Sequence, residues 1–210
     1  MGVDVSGPKE LDGQARAFLD AGLRVLRADG AVRLTLRRVA EAAGTSTMGI
    51  YTRFGGRHGL LEAIYRHGFA ILREVLHRHL SGVEDPIARI EAVAHGYREF
   101  ALEDPALFAL MFERPLADFD PSPALRAEAL DATFGLLGEP TAEAITTGTL
   151  RDGDAPRTAY LLWTVVHGIV SIELTHALRS PLPGWFLDSR AEGRRVLEEG
   201  LAAVLAGLRG

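Results

Sequence analysis

Residues Leu34–Arg57 read LTLRRVAEAAGTSTMGIYTRFGGR, and this stretch decides the fold. Leu36, Val39, Ala40 and Ala43 fall at i, i+3, i+4 and i+7, a single apolar helical stripe. Thr35 stands just before it, where an N-cap is wanted. Gly44 follows the last member, where a helix end favours positive φ. Ser46 then caps a second helix, with Ile50 and Phe54 as its buried side and Gly55-Gly56 as its close. Two short helices joined by a glycine-bearing turn predict a helix-turn-helix, whose second helix reads the major groove. At about 100° per residue, Met48 and Thr52 point opposite Ile50, with Gly49 and Tyr51 on the flanks.

The charge around this segment has the matching sign. Between Gly30 and Leu60 the bases are Arg33, Arg37, Arg38, Arg53 and Arg57, against the one acid Glu41, in a chain of net charge −5. A basic patch on an acidic protein meets phosphate while the remainder stays soluble. The 210 residues suffice for one or two domains, and 47% apolar with 24% charged residues excludes bulk disorder. Cysteine is absent, which excludes disulfides, thiolate metal sites and thiol catalysis and fits a reducing compartment. Met1–Glu10 has no apolar core of the signal-peptide kind, and no run is expected to reach the ~20 apolar residues of a membrane span. The expectation is a soluble cytoplasmic protein without membrane contact.

Residues 40–57, AEAAGTSTMGIYTRFGGR, resemble the signature of the tetracycline-repressor-like (TetR) transcriptional regulators. That pattern runs roughly I-A-x-x-A-G-V-S-x-G-x-L-Y-x-H-F-x-x-K. It is matched by Val39, Ala40, Ala43, Gly44, Ser46, Ile50, Tyr51 and Phe54. Thr45 replaces the usual Val, Met48 and Gly49 stand at a small and a variable position, and Arg53 and Arg57 replace His and Lys with charge retained. The match covers about residues 16–67. It implies an all-α protein: a three-helix DNA-binding head with its N-terminal arm over 1–57, and a helical ligand-binding and dimerisation body over 58–210. It also implies base-facing roles for Arg37, Thr47, Met48, Gly49 and Thr52, and phosphate-facing roles for Thr35, Tyr51, Arg53 and Arg57. Hydroxyls and guanidiniums suit phosphate, and Arg57 opens a helix whose N-terminus favours anions. Arg38 reads as a solvated charge.

Outside this segment the pattern is helical throughout. Met1–Lys9 reads as a loose arm, with Lys9 a solvated charge. Leu11–Ala28 carries Ala15, Phe18, Leu19, Gly22 and Leu26 on one side. Arg57–Leu80 carries Leu61, Ile64, Gly68, Ile71 and Val75 on one face, and by resemblance it links the head to the body. Asp85-Pro86 and Asp104-Pro105 are cap-then-proline starts, opening helices over 87–103 and 106–113. Helical patterns resume over 124–137 and 142–147. Asp154 opens a long apolar helix to about Arg179, broken by Pro181, Pro183 and Gly184, and a last helix covers 188–208. The two closing helices suit a homodimer built as a four-helix bundle. Gly168 lies mid-helix at a cost of ~1 kcal/mol, which a close contact can compensate.

Trp163 to Gly168, WTVVHG, resembles the W-H-G element of one C-terminal domain type in these regulators. Trp163 and His167 share a helix face, where Trp163 reads as packing and His167 stands between a ligand and a backbone partner. The chamber candidates are Tyr97, Phe100, Phe108, Met111, Phe112, Tyr160, Trp163 and His167, aromatic walls with a few polar tips, of which a few are expected to touch ligand. His95 reads as exposed. The sequence holds no H-E-x-x-H, G-x-S-x-G or phosphate loop, so neither catalysis, a cofactor nor a metal is expected.

The function implied is a homodimeric repressor on a pseudo-palindromic double-stranded operator. Its recognition helices sit about 34–36 Å apart, and an apolar or aromatic small-molecule effector releases it. Two alternatives stay open at this stage: an activator, or a helix-turn-helix regulator whose body binds a protein partner.

Overall fold

The computed structural model describes residues 12–176 and 189–209, with only the backbone of His176. The arm with Lys9 and the breakers Pro181, Pro183 and Gly184 lie outside the described residues. Among those described there are nine α-helices, one 3-10 turn (Ala31–Arg33) and no strand. The helices are α1 (Gly13–Asp29), α2 (Leu36–Ala42), α3 (Thr47–Phe54), α4 (Arg57–Leu80), α5 (Pro86–Glu103), α6 (Pro105–Phe112), α7 (Pro123–Thr146), α8 (Ala155–His176) and α9 (Arg190–Leu208).

Side-chain caps set most helix starts. Asp12 accepts from the Ala15 N–H at 2.6 Å, Thr35 from Arg38 at 3.4 Å, Asp85 from Ala88 at 2.8 Å and Asp104 from Leu107 at 3.2 Å. Ser46 holds the N-cap position of α3, yet its hydroxyl makes no capping bond, unlike the expectation. The turn before it is closed by the backbone instead. Gly44 sits at φ +66°, and the Thr45 N–H donates to Ala40 O at 2.9 Å.

The head packs α1, α2 and α3 around Phe18, Leu26, Val39 and Ile50, all fully buried. α4 extends from it as one straight element with two uses. Leu60, Leu61 and Ile64 close the underside of the head, and Leu72, Val75 and Leu76 lie in the body. Two glycines let neighbours come close to α4. A methyl at Gly22 would sit 2.8 Å from Ile64 Cδ1, and one at Gly68 would sit 2.5 Å from Met111 Sδ.

The sequence pattern predicted a break in α7, and the chain shows none: Pro140 lies inside one helix of 24 residues. An interior proline costs roughly 3 kcal/mol. Burial of Leu125, Ala129, Leu137 and Ala144 along one face offsets it. Arg89 of α5 also spans the site, reaching Glu139 at 3.0 Å and Glu143 at 2.8 Å on either side of the proline. A second correction concerns α8. Residues 155–175 have mean hydropathy 1.3 and are long and apolar enough to cross a membrane, against the expectation that no run would be. Its inner side, Ala159, Leu162, Val166 and Val170, is core packed by α5, α7 and α9. Glu173 on that side forms a buried pair with Arg98 of α5, whose guanidinium also donates to Arg190 O at 2.7 Å.

Candidate DNA interface and ligand chamber

On the outer side of the head, α3 presents Met48 (70% exposed) and Tyr51 (54%), with Thr52 beside them and Thr47 half-buried. The Thr52 hydroxyl donates to its own helix at Met48 O, which leaves the oxygen's lone pairs for a partner. Arg37 on α2 is exposed on the adjoining turn, and the Thr35 hydroxyl caps that helix. Gly49 departs from expectation. A methyl there would lie 2.8 Å from Phe18 Cζ and 3.0 Å from Cε2. Its bare Cα therefore faces α1 and lets α3 seat on the Phe18 ring; it does not aim at a base edge.

The two guanidiniums expected at phosphate are held from inside the chain. Arg53 Nε meets both oxygens of Asp12 at 3.0 and 3.1 Å, fastening α3 to the start of α1. Arg53 and the Ala15 N–H together hold the Asp12 carboxyl below its ordinary value. Arg57 donates to Leu34 O at 3.2 Å and to Asp118 at 2.6 Å, across to the segment between α6 and α7. Arg38, expected as a solvated charge, pairs with Asp29 at 2.5 Å. A further bridge was not anticipated: Arg27 of α1 reaches Asp104 at 2.7 Å. Asp104 is buried and also caps α6. The start of α6 and the segment that follows it are thus each tied to the head by an ion pair.

In the body, a chamber of about 410 Å³ opens between α4, α5, α7 and α8. Four of the eight candidates line it: Tyr97, Phe112, Tyr160 and Trp163. Trp163, read from sequence as packing, is thus a wall residue. Phe100, Phe108 and Met111 are core side chains away from the wall, and Met111 is the knob that seats α6 on Gly68. His167 is one layer behind. Its Nδ1 meets the Tyr97 hydroxyl at 2.8 Å, and its ring stacks on Phe108 at 5.8 Å. The partner of His167 Nδ1 is therefore a phenol, where the sequence left a ligand or the backbone. Burial pushes the Tyr97 phenol up, the indole N–H of Trp163 opposing it in part, and burial also holds the His167 imidazole below its ordinary value, so both are neutral. His95 is half-buried beside Glu198, at 3.6 Å. Phe69 of α4, Phe134 and Thr133 of α7 and Leu201 of α9 complete walls that sequence did not single out. All stand at ordinary core spacing, so no residue type marks them.

The sequence matches the family described as bacterial regulatory proteins, tetR family, over residues 18–64. Residues 90–203, more than half the chain, match a Tetracyclin repressor-like C-terminal domain that includes Trp163, His167 and Gly168. The chain belongs to the TetR family. It is a DNA-binding, helix-turn-helix transcriptional regulator with the all-α fold of that family. Among TetR-family relatives it resembles the HTH-type transcriptional regulator Mb1846 of Mycobacterium bovis, 24% identical over 75% of this chain and 79% of that one. Among solved structures, a protein of unknown function from Rhodococcus sp. RHA1 is 27% identical with TM-score 0.77, covering 98% of this chain and 100% of that one. The regulator FadR from Bacillus subtilis, solved in complex with stearoyl-CoA, has TM-score 0.73 at 14% identity, covering 92% of this chain and 99% of that one. At that identity the likeness to FadR is one of fold.

Proposed function

We propose that this TetR-family regulator is a homodimeric repressor, released from a pseudo-palindromic operator when a small apolar or aromatic effector enters the chamber. The observation that carries the reading is the double duty of α4. Leu60, Leu61 and Ile64 support the head, while Phe69, Leu72 and Leu76 of the same helix form chamber wall. Anything that fills the chamber pushes on the helix beneath the DNA-reading elements. α6 adds a second route, because Phe112 is wall and Asp104 is fastened to Arg27. A coupling of ~1–3 kcal/mol between the two sites changes DNA affinity about 5–150-fold.

At the DNA, Arg37, Thr47, Met48 and Thr52 meet base edges, and Thr35 and Tyr51 meet phosphate. Arg53 and Arg57 keep N–H groups that can reach phosphate while Asp12 and Asp118 hold them. The dimer forms through α8 and α9. Leu161 and Ile172 on the outer side of α8 are large and exposed. Among the described residues, a methyl at Gly168 or Gly207 would meet nothing within 4 Å. An apolar stripe with small residues at its centre fits a second copy. Such a protein works in the cytoplasm, on DNA.

The test is a gel-shift titration against the promoter region beside its own gene, with oligomeric state from light scattering. The reading expects a dimer that binds one palindromic fragment with steep salt dependence. A monomer indifferent to every duplex at low salt would contradict it.

A further inference from the structure

The chemistry of the chamber wall restricts what can enter it. Of the seventeen described residues that line it, ten are aliphatic, six are aromatic and one is Thr133; among them there is no Lys, Arg, Asp, Glu or His. The polar side-chain atoms on the wall are thus three hydroxyls and one indole N–H. The Thr133 proton is spent on its own helix, at Ala129 O, 3.1 Å away. The Tyr97 hydroxyl is engaged by His167. We propose that the chamber takes an uncharged, mostly apolar molecule, anchored by one hydroxyl or carbonyl group at the Tyr97–His167 pair. This rests on the chamber being the effector site proposed above and names the class of effector.

Two physical points act against charged ligands, the first on either sign and the second on anions. An ionised group moved into such a wall loses its water and finds no counter-charge, at an effective penalty of several kcal/mol. The acid whose field reaches both Tyr97 and His167 is Glu113, of a sign that repels carboxylate and phosphate. A coenzyme A thioester, the ligand class seen in the FadR complex, has no phosphate partner on this wall. A quaternary ammonium could stack on the six rings, but a cation–π gain of about 0.5–2 kcal/mol falls short of the desolvation penalty with no carboxylate among the described wall residues to pair it. The neutral Tyr97–His167 pair can present either sense of hydrogen bond. With the phenol donating to Nδ1, its oxygen keeps one lone pair, beside the Trp163 indole N–H, for a ligand hydroxyl. With Nδ1–H donating to the phenol, the Tyr97 O–H is free for a ligand carbonyl.

A matched series of one chain length tests this: decanol, decanoate, decyltrimethylammonium and decanoyl-CoA. The chain has two tryptophans, so in Trp185→Phe only Trp163 of the wall reports by fluorescence. Decanol is expected to shift the Trp163 signal and to bind at least ten-fold more tightly than each charged probe. Tyr97→Phe should weaken decanol about five-fold, the scale of one neutral hydrogen bond. Any charged probe that binds as tightly as decanol overturns the proposal, as does a series in which no member perturbs Trp163. Operator affinity, measured in parallel, separates the two readings. Decanol binding with the stated preference but no change in operator affinity defeats the effector role and leaves the ligand class standing.

Discussion

Individual side chains in the head divide into those that build it and those that face outward. Gly49 builds. Gly49→Ala forces the Phe18 ring to move by several tenths of an ångström in a fully buried site, and overpacking of this kind costs roughly 1–3 kcal/mol. Thermal unfolding should show the loss. Thr47→Ala and Met48→Ala should leave the melting midpoint within a degree or two and change which base is preferred in a selected-site assay. An unchanged preference removes them from the reading face. Arg57→Ala separates two roles. If the guanidinium chiefly bridges Leu34 O and Asp118, stability falls and the salt slope of DNA binding holds. If it chiefly neutralises phosphate, the slope falls by about 0.9 per contact. Because one guanidinium carries five N–H donors, both changes are expected together, and an unchanged slope removes Arg57 from the phosphate contacts. These assignments show what the sequence could and could not tell. The pattern through Val39, Ala40, Gly44 and Ile50 located the head because periodicity and a positive-φ glycine are local properties. The inward turn of Arg53 and Arg57 was not legible, because Asp12 and Asp118 lie 41 and 61 residues away in the chain.

At the scale of helices, α4 and α6 were legible to within a residue, since each starts and stops on capping or breaking residues. α7 was not, because the proline that argues for a break is outweighed by burial and by Arg89 reaching across it, both tertiary effects. The chamber was legible only in part for a related reason. A wall residue and a core residue have the same composition and spacing, and only packing tells Phe112 from Phe108. α8 carries the next prediction. A methyl at Gly168 would meet nothing within 4 Å among the described residues, so Gly168→Ala alone would raise helix propensity by ~1 kcal/mol. A bulky side chain at the same place blocks a second copy. Gly168→Leu should leave helical content unchanged and weaken the dimer at least ten-fold by sedimentation. An unaltered association constant places the dimer contact elsewhere.

The whole molecule should lose stability on acidification. His67, His95 and His167 are each held below the ordinary 6.5 chiefly by burial. The unfolded chain therefore binds protons first, and stability is lost as pH falls below about 6.5. Asp12 and Glu99 are held below 3.8 and 4.5, Asp12 chiefly by the Ala15 N–H and Glu99 by His79, so their contribution is lost lower down, as pH falls through their folded values. Melting midpoints should fall from pH 7 to pH 5 and again towards pH 3. A midpoint flat between pH 7 and 5 would contradict the neutral, buried state of the three imidazoles.

The head and the chamber are joined by α4 and by the ion pairs at Asp104 and Asp118 before and after α6, and the function proposed depends on that junction transmitting. Because the chain contains no cysteine, Glu41→Cys gives one spin-label site per protomer, exposed on α2 and outside the proposed DNA contacts. The direct measurement is the label-to-label distance by electron dipolar spectroscopy, with the chamber empty and filled with decanol. The account predicts a distribution that narrows on operator DNA, as the recognition helices settle about 34–36 Å apart, and that shifts when decanol binds. No dipolar signal, or one distribution unchanged by filling the chamber, would contradict it.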